Sequence, residues 1–100
     1  MRIGTTPTHT FTIPISVDMV KAVEITYCQA GNIVLQKYID DCVLEGKTIR
    51  TTLTQEDTFL FNHEVHVEIQ LRVLDLGGAA FASNIMTVDV EECLSKDVLE

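Results

Sequence analysis

Val65-His66-Val67-Glu68-Ile69-Gln70-Leu71-Arg72-Val73-Leu74 decides the fold, because Val65, Val67, Ile69, Leu71 and Val73 recur at every second position with polar residues between them. On a helix, residues two apart step by about 200° and would scatter around the axis. On a strand they share one face. Residues 64 to 74 therefore read as a strand with one buried side, and its length and β-branched residues suit a central place in a sheet.

Weaker stretches repeat the pattern on both sides. Phe11, Ile13 and Ile15 alternate in a first strand, where Pro14 lacks a donor and points to an edge or a bulge. Val23, Ile25 and Tyr27 alternate in a second, which leaves Glu24, Thr26 and Cys28 outward. Ala30-Gly31-Asn32 then tolerates positive φ, so a third strand from Ile33 to about Tyr38 should close a hairpin with the second. A short strand at Cys42 to Leu44 turns at Glu45-Gly46-Lys47 into a fifth, Thr48 to Leu53. Thr54-Gln55-Glu56-Asp57 reads as an N-cap followed by acids, hence one helical turn crossing the end of the domain, pinned to the core by Phe59 and Phe61. After the long strand, Leu76-Gly77-Gly78 makes a turn, and Met86, Val88 and Val90 alternate in a last strand. Seven short strands joined by turn signals predict an all-β fold, a seven-stranded immunoglobulin-like β-sandwich, with a small β-barrel as the alternative.

A chain of 100 residues supports one hydrophobic core and one domain. We assign residues 1–92 to the sandwich and 93–100 to an acidic C-terminal tail, in which Asp97 and Glu100 outweigh Lys96. No apolar run approaches the roughly 20 residues of a membrane-crossing helix. The first residues, Met1-Arg2-Ile3-Gly4-Thr5-Thr6-Pro7-Thr8, hold a basic residue without an apolar stretch behind it, so they do not read as a secretory signal. Cytoplasmic synthesis is the expectation. Fifteen acids against seven bases give a net charge of −8, which repels phosphate and argues against nucleic acid and anionic membrane as partners.

The residues that could carry chemistry do not form a recognisable set. His63 and His66 are three apart instead of the four that a zinc-protease helix needs, and on a strand they point to opposite faces. Asp40 and Asp41 lie in one loop and Glu56 and Asp57 in another, without the spacing of a calcium loop. No serine, cysteine or threonine sits in a nucleophile motif, and Gly77-Gly78 lacks the helix of a phosphate loop. Cys28, Cys42 and Cys93 are odd in number and widely spaced, so free thiols are expected. This reading assigns no catalytic residue, cofactor or metal.

Met1-Arg2-Ile3-Gly4-Thr5-Thr6-Pro7-Thr8-His9-Thr10-Phe11, Leu53-Thr54-Gln55-Glu56-Asp57-Thr58, Ile69-Gln70-Leu71-Arg72-Val73 and Ala82-Ser83-Asn84-Ile85 resemble a family of prophage proteins of about this length found in Firmicutes. The resemblance covers nearly the whole chain. It implies a virion or tail-associated structural protein, similar to the immunoglobulin-like N-terminal domains of phage baseplate upper proteins, and it carries no catalytic residues. Antibody-type domains are a poorer likeness: the chain has no Trp, and residues 64 to 74 contain no Cys for a disulfide between sheets.

Protein contact is therefore the expected activity, with tail or baseplate components as partners and the virion as destination. The candidate interface residues are Gln70, Arg72 and Leu74, outward on the strongest strand, together with Leu94, Val98 and Leu99, aliphatic within the acidic tail. Arginine is enriched in interfaces. Gln70 and Arg72 would equally suit cross-strand pairs with acids, and the tail aliphatics would equally suit packing on their own domain. A homo-oligomer or an obligate partner is expected. The alternative function is an adhesion or carbohydrate-binding sandwich, for which Tyr38 and Phe81 are the aromatics that the core leaves over. Because neither thiol nor histidine spacing suggests a cross-link, chelator and reductant should leave the melting temperature unchanged. A calorimetric shift of several degrees with either reagent would reveal a site that the spacing conceals.

Overall fold

The computed structural model describes all 100 residues. In chain order its elements are β1 (Thr8–Thr12), a 3-10 turn (Val17–Met19), β2 (Val20–Gln29), β3 (Asn32–Tyr38), a second 3-10 turn (Ile39–Asp41), β4 (Cys42–Glu45), β5 (Thr48–Thr52), the one-turn α-helix α1 (Gln55–Thr58), β6 (Val67–Asp75), β7 (Ala80–Ala82) and β8 (Met86–Val88). Two antiparallel sheets pack as a β-sandwich. One has the order β1-β5-β4, and the other runs β3-β2-β6-β7 with β8 also paired to β6.

The alternating row becomes β6, with β2 on one side and β7 and β8 on the other. Val67, Ile69, Leu71 and Val73 all lie buried against Val23, Ile25 and Tyr27 of β2. Phe11 of β1, Ile49 of β5 and Leu53 cover them from the opposite sheet. Each of these fully buried aliphatic side chains contributes about 1.5–3 kcal/mol relative to an exposed one, so four of them on one strand dominate the local energetics.

All seven expected segments are strands, and an eighth, β7, joins them. Its sequence, Ala80-Phe81-Ala82, carries little polarity contrast, so alternation does not mark it. Boundaries also move. Val65 precedes β6 in a turn, and β1 begins earlier than expected and ends before Pro14, which cannot donate to the ladder. Within the sandwich, β2 sits beside β3 and β6, whereas in antibody domains the second strand pairs with the fifth. The likeness to immunoglobulins therefore lies in the two-layer architecture and not in the strand order.

The turns follow the local chemistry. Ala30 and Gly31 adopt φ of 48° and 80°, the left-handed pair that joins β2 to β3 in a two-residue hairpin. Thr54 caps α1: its hydroxyl accepts the Asp57 N–H, while the Asp57 carboxylate accepts the Thr54 N–H. α1 carries the chain from β5 to the other sheet, and Phe61, buried beyond it, anchors the crossing.

Ile69 is fully enclosed, so Ile69→Ala should destabilise the domain by about 2–5 kcal/mol through lost burial and the cavity left behind. Chemical denaturation reads this directly. An unchanged midpoint would remove β6 from the core.

Candidate functional site

Period-2 alternation that buries one side of β6 delivers the other side to the surface. Across the β2–β6 ladder, Glu24 stands beside Arg72, Thr26 beside Gln70 and Cys28 beside Glu68. On the same outer face Tyr38 and Gln36 of β3 flank Glu24 and Thr26, while Ala80 and Ala82 of β7 flank Leu74 and Arg72. Gln70, Arg72 and Leu74 are thus brought onto one face, as the alternation requires.

Hydrogen bonds hold that face in a fixed arrangement. The Gln70 amide donates to the Ser83 carbonyl at 3.0 Å, the Gln36 amide donates to the Thr26 hydroxyl at 3.2 Å, and the Tyr38 hydroxyl donates to Gln36 Oε1 at 3.1 Å. Arg72 is looser. Its Nε lies 3.9 Å from Glu24 Oε1, and the Arg72 side chain remains 67% exposed. Such a long, exposed pair contributes at most about 1 kcal/mol and leaves the guanidinium donors free for another group.

Two shallow hollows open on this face at opposite ends. One of about 330 Å³ lies between Tyr38, Glu24, Arg72, Leu74 and Ala80. The other, about 210 Å³, lies between Cys28, Gly31, Glu68, Gln70 and Ile85. Tyr38 in the first and Ile85 in the second are exposed apolar side chains. Tyr38 and Ile85 lie outside β6, so its alternation does not place them; the β2–β3 register brings Tyr38, and the chain between β7 and β8 brings Ile85, to its outer side.

The tail candidates go elsewhere. Leu94 is 98% exposed, Leu99 is exposed, and only Val98 turns toward the domain, lining a hollow with Ile3, Phe59, Phe61 and His63. The Gln55 side chain clamps Leu99 by donating to its carbonyl at 3.1 Å and accepting its N–H at 2.8 Å. These residues share no hollow with Gln70, Arg72 and Leu74.

Several polar side chains are held inside the sandwich or at its margin, where sequence alternation could have placed two of them: His9 has the parity of Phe11, and Lys37 that of Leu35. His9 Nδ1 lies 2.7 Å from the Tyr27 hydroxyl, and Tyr27 packs on Phe61 with ring centroids 5.9 Å apart. Burial, and then the positive N-terminus, lower the His9 pKa; burial, followed by the nearby Cys42 and Asp57 charges, raises that of Tyr27. Burial and then Asp41 raise the Cys42 thiol. Lys37 Nζ meets Asp57 Oδ2 at 2.8 Å. Burial alone would raise the Asp57 pKa, but the bonds from Lys37 and Thr54 outweigh it and hold the carboxyl below its ordinary range. Gln29, also buried, donates to the Asn62 and Val65 carbonyls and accepts the Asn62 N–H, tying the loop before β6 to the end of β2.

Of the loop acids, Asp41 accepts the Tyr38 N–H and Asp57 is held by Lys37 and Thr54, while His63 lies 3.8 Å from Glu92. No group of three or more His, Cys, Asp or Glu side chains converges to hold a metal ion, and the three cysteines are free. In comparisons with known proteins, the chain matches no protein-family model, no curated protein and no solved structure.

His9 gives the domain an acid sensitivity. The unfolded chain takes up this proton near pH 6.5, whereas the folded state resists it, so stability falls as pH drops through that value toward the lower folded one. Asp57 acts in a separate window, losing its contribution only below about its ordinary 3.8. Thermal melts from about pH 8 to about pH 5 should show a smaller loss in His9→Gln than in the parent. Equal losses would mean that His9 charges as easily folded as unfolded.

Proposed function

We propose that this domain is a non-catalytic protein-contact module, a structural component of a phage or prophage particle associated with its tail or baseplate. The observation that carries the contact reading is the outer face of the larger sheet, where a hydrogen-bonded polar lattice separates two hollows, one lined by Arg72 and Tyr38 and the other by Glu68 and Ile85. Interface cores combine such aromatic and aliphatic anchors with arginine. The resemblance to short prophage proteins supplies the setting.

A carbohydrate-binding sandwich fits less well. Phe81 packs against the core, which leaves Tyr38 as the exposed aromatic on this face, and a sugar platform usually stacks on more. The acid excess disfavours phosphate-bearing partners in the same way.

Particles purified after induction of a lysogen carrying the gene should contain the chain at a fixed ratio to tail proteins, and deletion should leave tails incomplete. Tyr38→Asp, folded by circular dichroism, should be lost from particles. Normal particles in the deletion strain, lacking the chain in the parent, would end this reading.

A further inference from the structure

The outer side of β6 reads Glu68, Gln70, Arg72, which places opposite charges symmetrically about Gln70. At about 3.4 Å per residue the two charges are roughly 14 Å apart. A two-fold axis lying in the plane of the face, across the strands at Gln70, therefore sets Arg72 over Glu68 of a second copy and Glu68 over its Arg72. We propose that this face is an isologous dimer surface, with two copies stacked face to face and their β6 strands antiparallel. The proposal rests on the reading of this face as the contact surface and names its occupant.

Three further observations fit that occupant. The hollow beside Tyr38 and Leu74 lies toward Arg72, and the one beside Gly31 and Ile85 lies toward Glu68, so the same axis lays each over the other. Ile85, 57% exposed at the lip of the smaller hollow, meets the larger one of the second copy. The guanidinium of Arg72, held by one carboxylate at 3.9 Å, gains a second.

Other surfaces fit a second copy less well. The outer face of the smaller sheet carries Thr8, Thr10, Thr12 and Thr52 with Arg50, Val43 and Glu45, and none of the hollows described opens on it. At the β3 edge, Asp41 takes the Tyr38 N–H, the Cys42 thiol donates to the Tyr38 carbonyl, and a register shift interrupts the ladder at Tyr27/Cys28. The Tyr38 end of that edge is thereby closed to strand addition. β1 is flanked by Pro7 and Pro14, and β4, β7 and β8 have four, three and three residues.

Sedimentation equilibrium of the full chain, from micromolar to near-millimolar concentration, should show a species of about twice 11.2 kDa. Arg72→Glu and Glu68→Arg should each weaken association by on the order of tenfold or more, and the double variant should regain most of it, since the exchange restores both cross-copy pairs. Circular dichroism confirms that each variant is folded. A parent that stays monomeric, a dimer indifferent to either single variant, or a double variant no stronger than the singles would each overturn the stacked dimer. A monomeric parent that still enters particles would sink self-pairing while leaving the contact-module reading intact.

Discussion

The ladder between β2 and β6 is the constraint on which the rest of the molecule depends. Its paired residues from Val23 to Cys28 and Glu68 to Val73 put Val23, Ile25 and Tyr27 beside Val73, Leu71 and Ile69, forming one continuous apolar surface. Neither strand could bury that surface alone. The smaller sheet lies over it because Phe11, Ile49 and Leu53 need the same exclusion from water. Burial of both strands also ties the two faces together: a one-residue slip would send Glu68, Gln70 and Arg72 inward and expose the whole aliphatic row.

The polar side chains inside and along the margin work with that packing instead of against it. Gln29 satisfies three backbone groups of the loop that delivers the chain to β6. Thr58, fully buried at the end of α1, accepts the Gly4 N–H and lies within donating distance of the Gln55 and Thr5 carbonyls. No buried side-chain nitrogen or oxygen lacks a partner. Partnered groups of this kind cost little when buried, yet each demands one geometry, which gives a small core a defined arrangement. Lys37 follows the same logic: paired with Asp57 across the gap between β3 and α1, it joins the edge of one sheet to the crossing that links both.

Much of this was legible in the residues. The alternation of Val67 to Val73, the Ala30-Gly31 hairpin and the Thr54 cap each rest on interactions within a few positions, and each stands where its chemistry places it, while Val65 falls in the turn before the strand. The outward direction of Gln70 and Arg72 follows from the same alternation. β7 was not legible, because Ala80-Phe81-Ala82 gains its strand conformation by pairing with β6 instead of from its own pattern. His9 was passed over because a lone histidine among threonines looks solvated until Tyr27 is found beside it.

By itself, then, the sequence determined that this chain is all-β, which strand carries the core and which of its residues face outward. These depend on period and on turn chemistry, both local. The two-sheet sandwich rather than a closed barrel came from the tertiary structure. Only the tertiary structure decided which strands are neighbours, and with that the seating of β2 between β3 and β6. It alone set Glu24 against Arg72, gathered Tyr38, Gly31 and Ile85 around the two hollows, and sent the tail to Gln55 instead of to the Gln70 face. Pairing across long sequence separations is selected by the burial of whole surfaces, and no short stretch of residues encodes that sum.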